Sequence, residues 1–234
     1  MAVMNFLTTC IFDSGAVKQL EKTAKSLGIT RPFIVTDQGI KAAGILDIVI
    51  GALGITPAAI FDETVPNPIE RQAKEATARY KESGADGIIA VGGGSSMDMA
   101  KIVGLLASHD HPLEHFAAIS GGARNIGKLP PLIAIPTTAG TGSEVSVGAI
   151  MIMETGRKET FVSPNLIPAT AICDPDLTIG LPAHLTAATG MDAVTHCIEA
   201  VLTPTVNPPA EGSGYDGAAR ALGGRPEKGR GGRE

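Results

Sequence analysis

Gly87-Ile-Ile-Ala-Val-Gly-Gly-Gly-Ser-Ser-Met-Asp-Met-Ala-Lys101 contains the pattern from which the architecture of the chain can be inferred. It begins with an unbroken apolar run, which is typical of a strand buried on both faces of a parallel sheet. Three consecutive glycines follow, and residues 95–108 have the apolar spacing of a helix. A glycine turn between a strand and a helix lets backbone N–H groups and the helix dipole approach an anion such as a diphosphate. A plain turn with Ser95 as its N-cap explains the same residues equally well.

The same alternation of strand and helix occurs on the N-terminal side of this motif. Helical spacing of apolar residues is found in three further segments, at residues 14–27, 39–53 and 68–83. Short apolar runs lie between them, at residues 32–37 and 58–62. Strands that alternate with helices predict a parallel sheet with right-handed crossovers, in which ligands bind at the carboxyl ends of the strands. The predicted fold class is therefore α/β.

The second half of the chain has a different pattern. Between residues 132 and 174, short β-rich segments are separated by Gly, Pro, Ser and Thr, which predicts a second group of strands. Residues 183–189 and 192–202 are predicted helices with a stop at Gly190. Beyond them glycine becomes frequent and apolar periodicity disappears, so we expect a disordered or aberrant tail over residues 209–234.

Composition excludes several classes of protein. Of the 234 residues, 44% are hydrophobic and 18% are charged, which argues against disorder. The net charge of −5 offers no basic surface for nucleic acid or an anionic membrane, and no apolar run reaches the roughly 20 residues that span a bilayer. Three widely spaced cysteines and the absence of a secretory signal predict a reducing compartment, and we expect a cytoplasmic protein.

Two further motifs have polar side chains. Pro136-Thr-Thr-Ala-Gly-Thr-Gly-Ser-Glu144 follows a predicted strand, and its hydroxyl groups and glycines suit phosphate or ribose recognition. An ordinary hydroxyl-rich turn is the alternative. Asp192 and His196 are four residues apart on a predicted helix, so a carboxylate and an imidazole project from one face. They are half of a site for a divalent metal, and an ion pair or hydrogen bond along the helix is the alternative.

The chain resembles the iron-containing (group III) alcohol dehydrogenases over about residues 5–208. Each motif alone is a common pattern, whereas all of them in this order are specific to that family. The motifs are Gly92-Gly-Gly-Ser95 with Asp98 and Lys101, then Pro136-Thr-Thr-Ala-Gly-Thr-Gly-Ser-Glu144, then Ala188-Thr-Gly-Met-Asp-Ala-Val-Thr-His-Cys-Ile-Glu-Ala200.

The resemblance implies two domains in a dehydroquinate synthase-like architecture. A Rossmann-like parallel-sheet domain over residues 1–181 would bind NAD, and residues 182–208 would begin an all-helical metal-binding domain. The active site would lie in the cleft between the domains. There Fe²⁺, or alternatively Zn²⁺, would hold the substrate oxygen while hydride passes to the nicotinamide. The implied partner is a small-molecule alcohol or aldehyde, and a homo-oligomer is compatible with the resemblance.

The resemblance also implies roles for single residues. Asp37 would lie beside the adenosine ribose and favour NAD over NADP, because its carboxylate repels a 2′-phosphate. Asp192 and His196 would be the catalytic pair and the first two of four metal ligands. Asn67, Gly93, Gly94 and Ser95 would also meet the cofactor, with the glycines under its diphosphate. The other implied contacts are Thr137 and Thr138 on the adenosine side, Asp98, Ser143 and Val145 near the nicotinamide, and Lys158 at a ribose hydroxyl.

The sequence departs from the family after His196. The remaining two metal ligands are histidines expected further along the helical domain, and no histidine occurs among residues 197–234. We therefore expect an incomplete chain with weak metal binding and little or no turnover. The alternatives are a non-catalytic nucleotide-binding remnant and a relative of the same fold, such as a glycerol dehydrogenase or a maleylacetate reductase.

Overall fold

Eight strands occur in residues 8–223, the part of the chain that the computed structural model describes. They are β1 (Thr9–Phe12), β2 (Pro32–Val35), β3 (Ala59–Phe61), β4 (Gly87–Gly92), β5 (Leu132–Pro136), β6 (Gly148–Ile152), β7 (Lys158–Val162) and β8 (Thr170–Cys173). Six of them form one parallel sheet in the order β1-β8-β5-β4-β2-β3. The other two, β6 and β7, pair as an antiparallel hairpin. This sheet confirms the predicted α/β class.

Seven α-helices accompany these strands within the described residues. They are α1 (Leu20–Ser26), α2 (Gln38–Ala42), α3 (Ile45–Leu53), α4 (Glu70–Ser83), α5 (Gly94–Ser108), α6 (Ala183–Leu202) and α7 (Pro208–Gly223). The helix predicted over residues 39–53 is divided into α2 and α3, because Gly44 adopts a left-handed conformation between them. Between residues 8 and 223, none of the helices has the length and apolar character needed to cross a bilayer.

The sheet is covered on both faces. Successive side chains of β4 point to opposite faces of the sheet and belong to two different apolar clusters. In β4, Ile88 and Ala90 pack on one face with side chains from α4 and α5. Ile89 and Val91 pack on the other face with side chains from α1 and α3. Because both faces of β4 are buried, its sequence is a continuous apolar run rather than an alternating one.

The predicted second group of strands is wrong for two of its members. Strands β5 and β8 belong to the central sheet, where β5 lies between β4 and β8. Only β6 and β7 form a separate sheet. Strand pairing is a non-local property, so a strand that follows a long irregular segment cannot be assigned to a sheet by its local pattern. The short strand β1, at the sheet edge, was not predicted.

The described residues divide into two compact units. One contains residues 8–137 and 143–180, and therefore the whole parallel sheet. The other contains residues 138–142 and 181–223, with α6 and α7. Helix α6 is continuous through Gly190, so the predicted stop at that residue is wrong. A glycine inside a helix costs only about 1 kcal/mol relative to alanine, which the other residues of a long helix can offset.

The prediction of a disordered tail from residue 209 is wrong as far as Gly223, because residues 208–223 form α7. The glycines that suggested disorder allow α7 to approach α6 closely. A Cβ atom on Gly214 would lie 2.9 Å from the carbonyl oxygen of Cys197, and one on Gly217 would lie 2.7 Å from its Sγ. Residues 224–234, the rest of the predicted tail, lie outside the described residues.

Candidate functional site

The turn between β4 and α5 lies at the point in the sheet where the order of successive strands reverses. The chain passes from β2 outward to β3, whereas from β4 it passes to β5 on the opposite side. The carboxyl ends of β2 and β4 therefore border a crevice, which is where α/β sheets of this type bind ligands. Helix α5 begins at Gly94 with Gly93 as its N-cap, not Ser95, and no side chain caps it. Its first backbone N–H groups are not engaged by a capping side chain, as an anion site requires.

Asp37 follows β2 at the same crevice. One of its oxygens, Oδ1, accepts a hydrogen bond from the backbone N–H of Ile40 at 3.0 Å and so caps α2. The other, Oδ2, accepts from the Oγ of Ser96 in the first turn of α5 at 3.2 Å. Asp37 thus connects the two strand ends across the crevice, and its carboxylate is held in one orientation.

Asn67, Ser95 and Lys158, three of the predicted cofactor residues, form a second polar group beside the turn. The backbone N–H of Asn67 donates to Ser95 Oγ at 3.3 Å, and Lys158 Nζ donates to Asn67 Oδ1 at 3.2 Å. Asn67 has a φ of 55°, the left-handed conformation that asparagine tolerates better than most residues. Lys158 is the first residue of β7, so the hairpin brings a cation to this position.

The half-buried Asp98 and the buried Ser143 and Lys101 form a polar chain on α5 and the loop that follows β5. Ser143 Oγ donates to Asp98 Oδ1 at 2.7 Å and accepts from Lys101 Nζ at 3.1 Å. Lys101 Nζ also donates to the carbonyl oxygens of Ser146 and Gly148. The fully buried lysine therefore fastens the 143–148 loop to α5.

Burial changes the proton affinity of both charged members of this chain. Desolvation raises the pKa of Asp98, and the hydrogen bonds from Ser143 Oγ and the Ile150 N–H partly oppose that shift. Desolvation lowers the pKa of Lys101 to about 8, although the nearby Asp98 carboxylate acts in the opposite direction. An unusual pKa in a crevice is typical of functional sites, and it also occurs in buried structural pairs.

Three buried threonine hydroxyls along the carboxyl edge of the sheet have no hydrogen-bond partner within the described part of the chain. They belong to Thr36 after β2, Thr64 after β3 and Thr137 after β5. Buried hydroxyls are almost always paired in folded proteins. Their position at one edge therefore fits a polar ligand bound there. Thr137 was a predicted cofactor contact, whereas Thr36 and Thr64 were not.

The remaining predicted cofactor residues are in different surroundings. Val145 lies in the short helical turn Ser143–Val145, and its side chain is 45% exposed. Thr138 opens the short segment 138–142, which belongs to the unit that contains α6 and α7. Its predicted role on the adenosine side stays a prediction.

The predicted metal ligands lie on one face of α6. His196 Nε2 is 3.6 Å from Asp192 Oδ1, and His196 Nδ1 is 3.9 Å from a carboxylate oxygen of Glu199. The side chains of Asp192 and His196 are about half exposed. Carboxylate and imidazole suit Fe²⁺ or Zn²⁺. In residues 8–223, however, no group of three or more His, Cys, Asp or Glu side chains is arranged to hold a metal ion. The described residues therefore do not form a complete metal site.

Several residues of the site were not predicted from the sequence. Lys101 was part of a quoted motif, but its role in holding the 143–148 loop depends on residues more than 40 positions away. Ser96, which binds Asp37 from the first turn of α5, was also missed. For Thr36 and Thr64 a weak signal exists, because each hydroxyl residue closely follows a short apolar strand.

Known proteins resemble this chain in sequence and in fold. The sequence profile of the family described as iron-containing alcohol dehydrogenase matches residues 8–175. A 4-hydroxybutyrate dehydrogenase of Cupriavidus necator is 52% identical over 224 residues, which are 95% of this chain and 59% of the relative. The chain thus spans only about three-fifths of the length of this relative.

Two solved structures resemble the described fold. A 1,3-propanediol oxidoreductase has a TM-score of 0.83 at 35% identity, covering 91% of this chain and 56% of that one. A sulfoacetaldehyde reductase of Bifidobacterium kashiwanohense in complex with NAD⁺ has a TM-score of 0.86 at 26% identity, covering 94% of this chain and 58% of that one. Since the family profile spans most of the sequence, the chain belongs to the iron-containing alcohol dehydrogenase family.

Proposed function

We propose that this chain binds NAD at the crevice between the carboxyl ends of β2 and β4. The observation that supports this proposal most strongly is the uncapped N-terminus of α5 directly after the glycine turn, at the point where strand order reverses. Gly93, Gly94 and Ser95 would bind the diphosphate through backbone N–H groups. The unpaired hydroxyl of Thr137 at the same edge supports a polar ligand.

Charged residues around the crevice suggest how the cofactor is oriented. Asp37 would accept hydrogen bonds from ribose hydroxyls, because its fixed carboxylate faces the first turn of α5. Lys158 and Asn67, which already bond to each other, would bind the second ribose. Asp98, Ser143 and Val145 would then border the nicotinamide. In this arrangement the buried Lys101 keeps the 143–148 loop in position without touching the cofactor.

For the whole protein, we propose reversible oxidation of an alcohol to an aldehyde or ketone with NAD as hydride acceptor. Family membership and the 4-hydroxybutyrate dehydrogenase and 1,3-propanediol oxidoreductase relatives support this reaction. Asp192 and His196 would contribute two ligands to a metal, Fe²⁺ or alternatively Zn²⁺. Two half-exposed ligands hold a divalent ion weakly, so we expect this chain alone to bind NAD and to have little or no turnover.

A titration of the purified chain with NADH tests the binding proposal. We expect a saturable increase in NADH fluorescence, and a saturable heat of binding in calorimetry. The absence of both signals from folded protein would contradict it. Turnover is measured separately with NAD⁺, Fe²⁺ and either 4-hydroxybutyrate or 1,3-propanediol. Alcohol-dependent NADH formation by this chain at the rate of an efficient enzyme would contradict the expected weak metal site, but not NAD binding.

The substitution Asp37→Asn is expected to weaken the preference for NADH over NADPH by at least about tenfold, which is about 1.4 kcal/mol. Asparagine retains an oxygen that can cap α2, whereas the charge that repels a 2′-phosphate is lost. Dissociation constants for both cofactors are measured by fluorescence titration. Asp110→Asn, which removes an exposed carboxylate just beyond the C-terminal end of α5, is the matched control and should leave the ratio unchanged. An unchanged ratio in Asp37→Asn would show that Asp37 does not lie beside the ribose.

A further inference from the structure

Cys10 and Cys173 are diagonal neighbours on β1 and β8, two parallel strands at the sheet edge. Their Sγ atoms are 3.5 Å apart. In the register of β1 and β8, Cys10 is opposite Ala171 and Phe12 is opposite Cys173, so the two cysteines are offset by two positions. An offset of two residues puts both side chains on the same face of the sheet.

The strands that contain these cysteines are held in register by a buried carboxylate. Asp174, directly after Cys173, accepts hydrogen bonds from the backbone N–H groups of Gly15 and Val17, each at 3.0 Å. Ser14 donates to Asp176 in the same turn. The segment that leaves β1 is therefore tied to the segment that leaves β8. The proximity of the two thiols is consequently a fixed feature of the fold and does not depend on side-chain contacts alone.

The two thiols differ in access to reagents. Cys10 is exposed on the edge strand β1, where the neighbouring Phe12 side chain is 73% exposed. Cys173 is only partly exposed. Burial is the main reason that the pKa of Cys173 is raised to about 12, and the hydrogen bond with Cys10 acts in the same direction. A reagent in solution therefore meets Cys10 first, and Cys173 is positioned to react with whatever forms on Cys10.

We propose that Cys10 and Cys173 are a redox-active pair that forms a reversible intramolecular disulfide. The oxidant is a low-molecular-weight disulfide such as glutathione disulfide, which reacts by thiol–disulfide exchange. The Cys10 thiolate attacks one sulfur of glutathione disulfide, forms a mixed disulfide and releases one glutathione thiolate. Cys173 gives its proton to the released glutathione thiolate, and the Cys173 thiolate then attacks Cys10 Sγ and releases the second glutathione. Two protein thiols thereby lose two protons and two electrons, and glutathione disulfide gains both as two thiols. A thiol reductant reverses the reaction.

Such a bond would link the exposed edge strand to the inner strand β8 across 163 residues of chain. An edge strand is held by hydrogen bonds on one side only, and it is among the first elements of a sheet to open. A cross-link at this position restrains that opening. It also closes a long loop, which in the chain-entropy view stabilises a protein more than a short loop does.

The test uses the full chain with Cys197→Ser, because this substitution removes the third thiol. The protein is equilibrated with glutathione disulfide and reduced glutathione, blocked with iodoacetamide and digested. We expect a cross-linked peptide pair containing Cys10 and Cys173, an intact monomer lighter by two hydrogens, and loss of both changes with dithiothreitol. A stable glutathione adduct on Cys10 with an alkylated Cys173 would overturn the proposal. A disulfide-linked dimer as the main product, or two alkylated cysteines, would overturn it too.

A stability measurement distinguishes a cross-link within the fold from one formed in unfolded chains. The oxidised protein should melt about 5 °C above the reduced protein. The variant Cys10→Ser in the same background should show no such difference, and iodoacetamide should alkylate its Cys173 once the protein is denatured. Circular dichroism of the reduced forms shows whether each variant is folded. A lower melting temperature after oxidation would mean that the bond forms only in distorted molecules, against the proposal.

Discussion

Replacing Gly92 by alanine is expected to abolish NADH binding and to lower the free energy of unfolding by about 2–4 kcal/mol. Gly92 closes β4 with a φ of 141°, a conformation that residues with a side chain rarely adopt. A Cβ atom there would lie 2.6 Å from Ser96 Oγ and 3.3 Å from Asp37 Oδ2. The methyl group would therefore separate the first turn of α5 from Asp37, in the region that we propose binds the diphosphate.

Urea unfolding and NADH titration measure these two effects. Gly51→Ala is the matched control, because Gly51 lies inside α3 and nothing is within 4 Å of a Cβ at that position. This control should gain about 0.5–1 kcal/mol from the lower entropy of the unfolded chain and keep its NADH affinity. Wild-type affinity in folded Gly92→Ala would mean that the cofactor does not bind at the β4–α5 turn.

Lys101→Met is expected to destabilise the protein by about 2–4 kcal/mol at neutral pH. Methionine fills a similar volume, but it cannot donate the hydrogen bonds that Lys101 Nζ makes to Ser143 Oγ and to the carbonyl oxygens of Ser146 and Gly148. Buried acceptors without donors cost free energy, and the Asp98 carboxylate loses the favourable interaction with the Lys101 cation. Urea unfolding measures the change. Unaltered stability would show that these hydrogen bonds contribute nothing net.

The pH dependence of the same comparison has a defined sign. Burial lowers the pKa of Lys101 from 10.5 to about 8, so between these values the unfolded chain binds more protons than the folded chain. The free energy of unfolding therefore rises with pH across this window, by about 2–3 kcal/mol from this group. Other groups titrate there as well, and subtracting the Lys101→Met curve removes their contribution. The gap between wild type and variant should widen from pH 8 to pH 10.5. A constant gap would mean that the lysine has an ordinary pKa in the fold.

Local patterns were sufficient for much of the parallel sheet and its helices. The continuous apolar run of β4 and the glycines after it predicted a strand, a turn and a helix, because backbone sterics and burial on both faces act over a few residues. The same patterns indicated that Asp37 follows a strand and that Asp192 and His196 share one face of a helix. These predictions were possible because Asp192 and His196 are only four residues apart, and because the position of Asp37 depends on the one strand that precedes it.

Other relations bring together residues far apart in the chain, and the folded structure was needed to find them. Neither the place of β8 between β5 and β1 nor the contact of Cys10 with Cys173 has a local signature. Glycines that indicated disorder in residues 208–223 serve instead as contact points for α6, since their meaning depends on what lies opposite.

The amino-acid sequence alone was enough to establish the α/β class, the glycine turn and the family, because these depend on periodicity and on short motifs. The folded arrangement established which hydroxyls remain unpaired at the sheet edge and that Lys101 holds a loop more than 40 residues away. The physical reason is that secondary-structure propensity and the apolar pattern of a strand or helix depend on residues that are close together in the sequence. Hydrogen bonds and pKa shifts depend instead on neighbours in space, which only the packing of the complete sheet brings together.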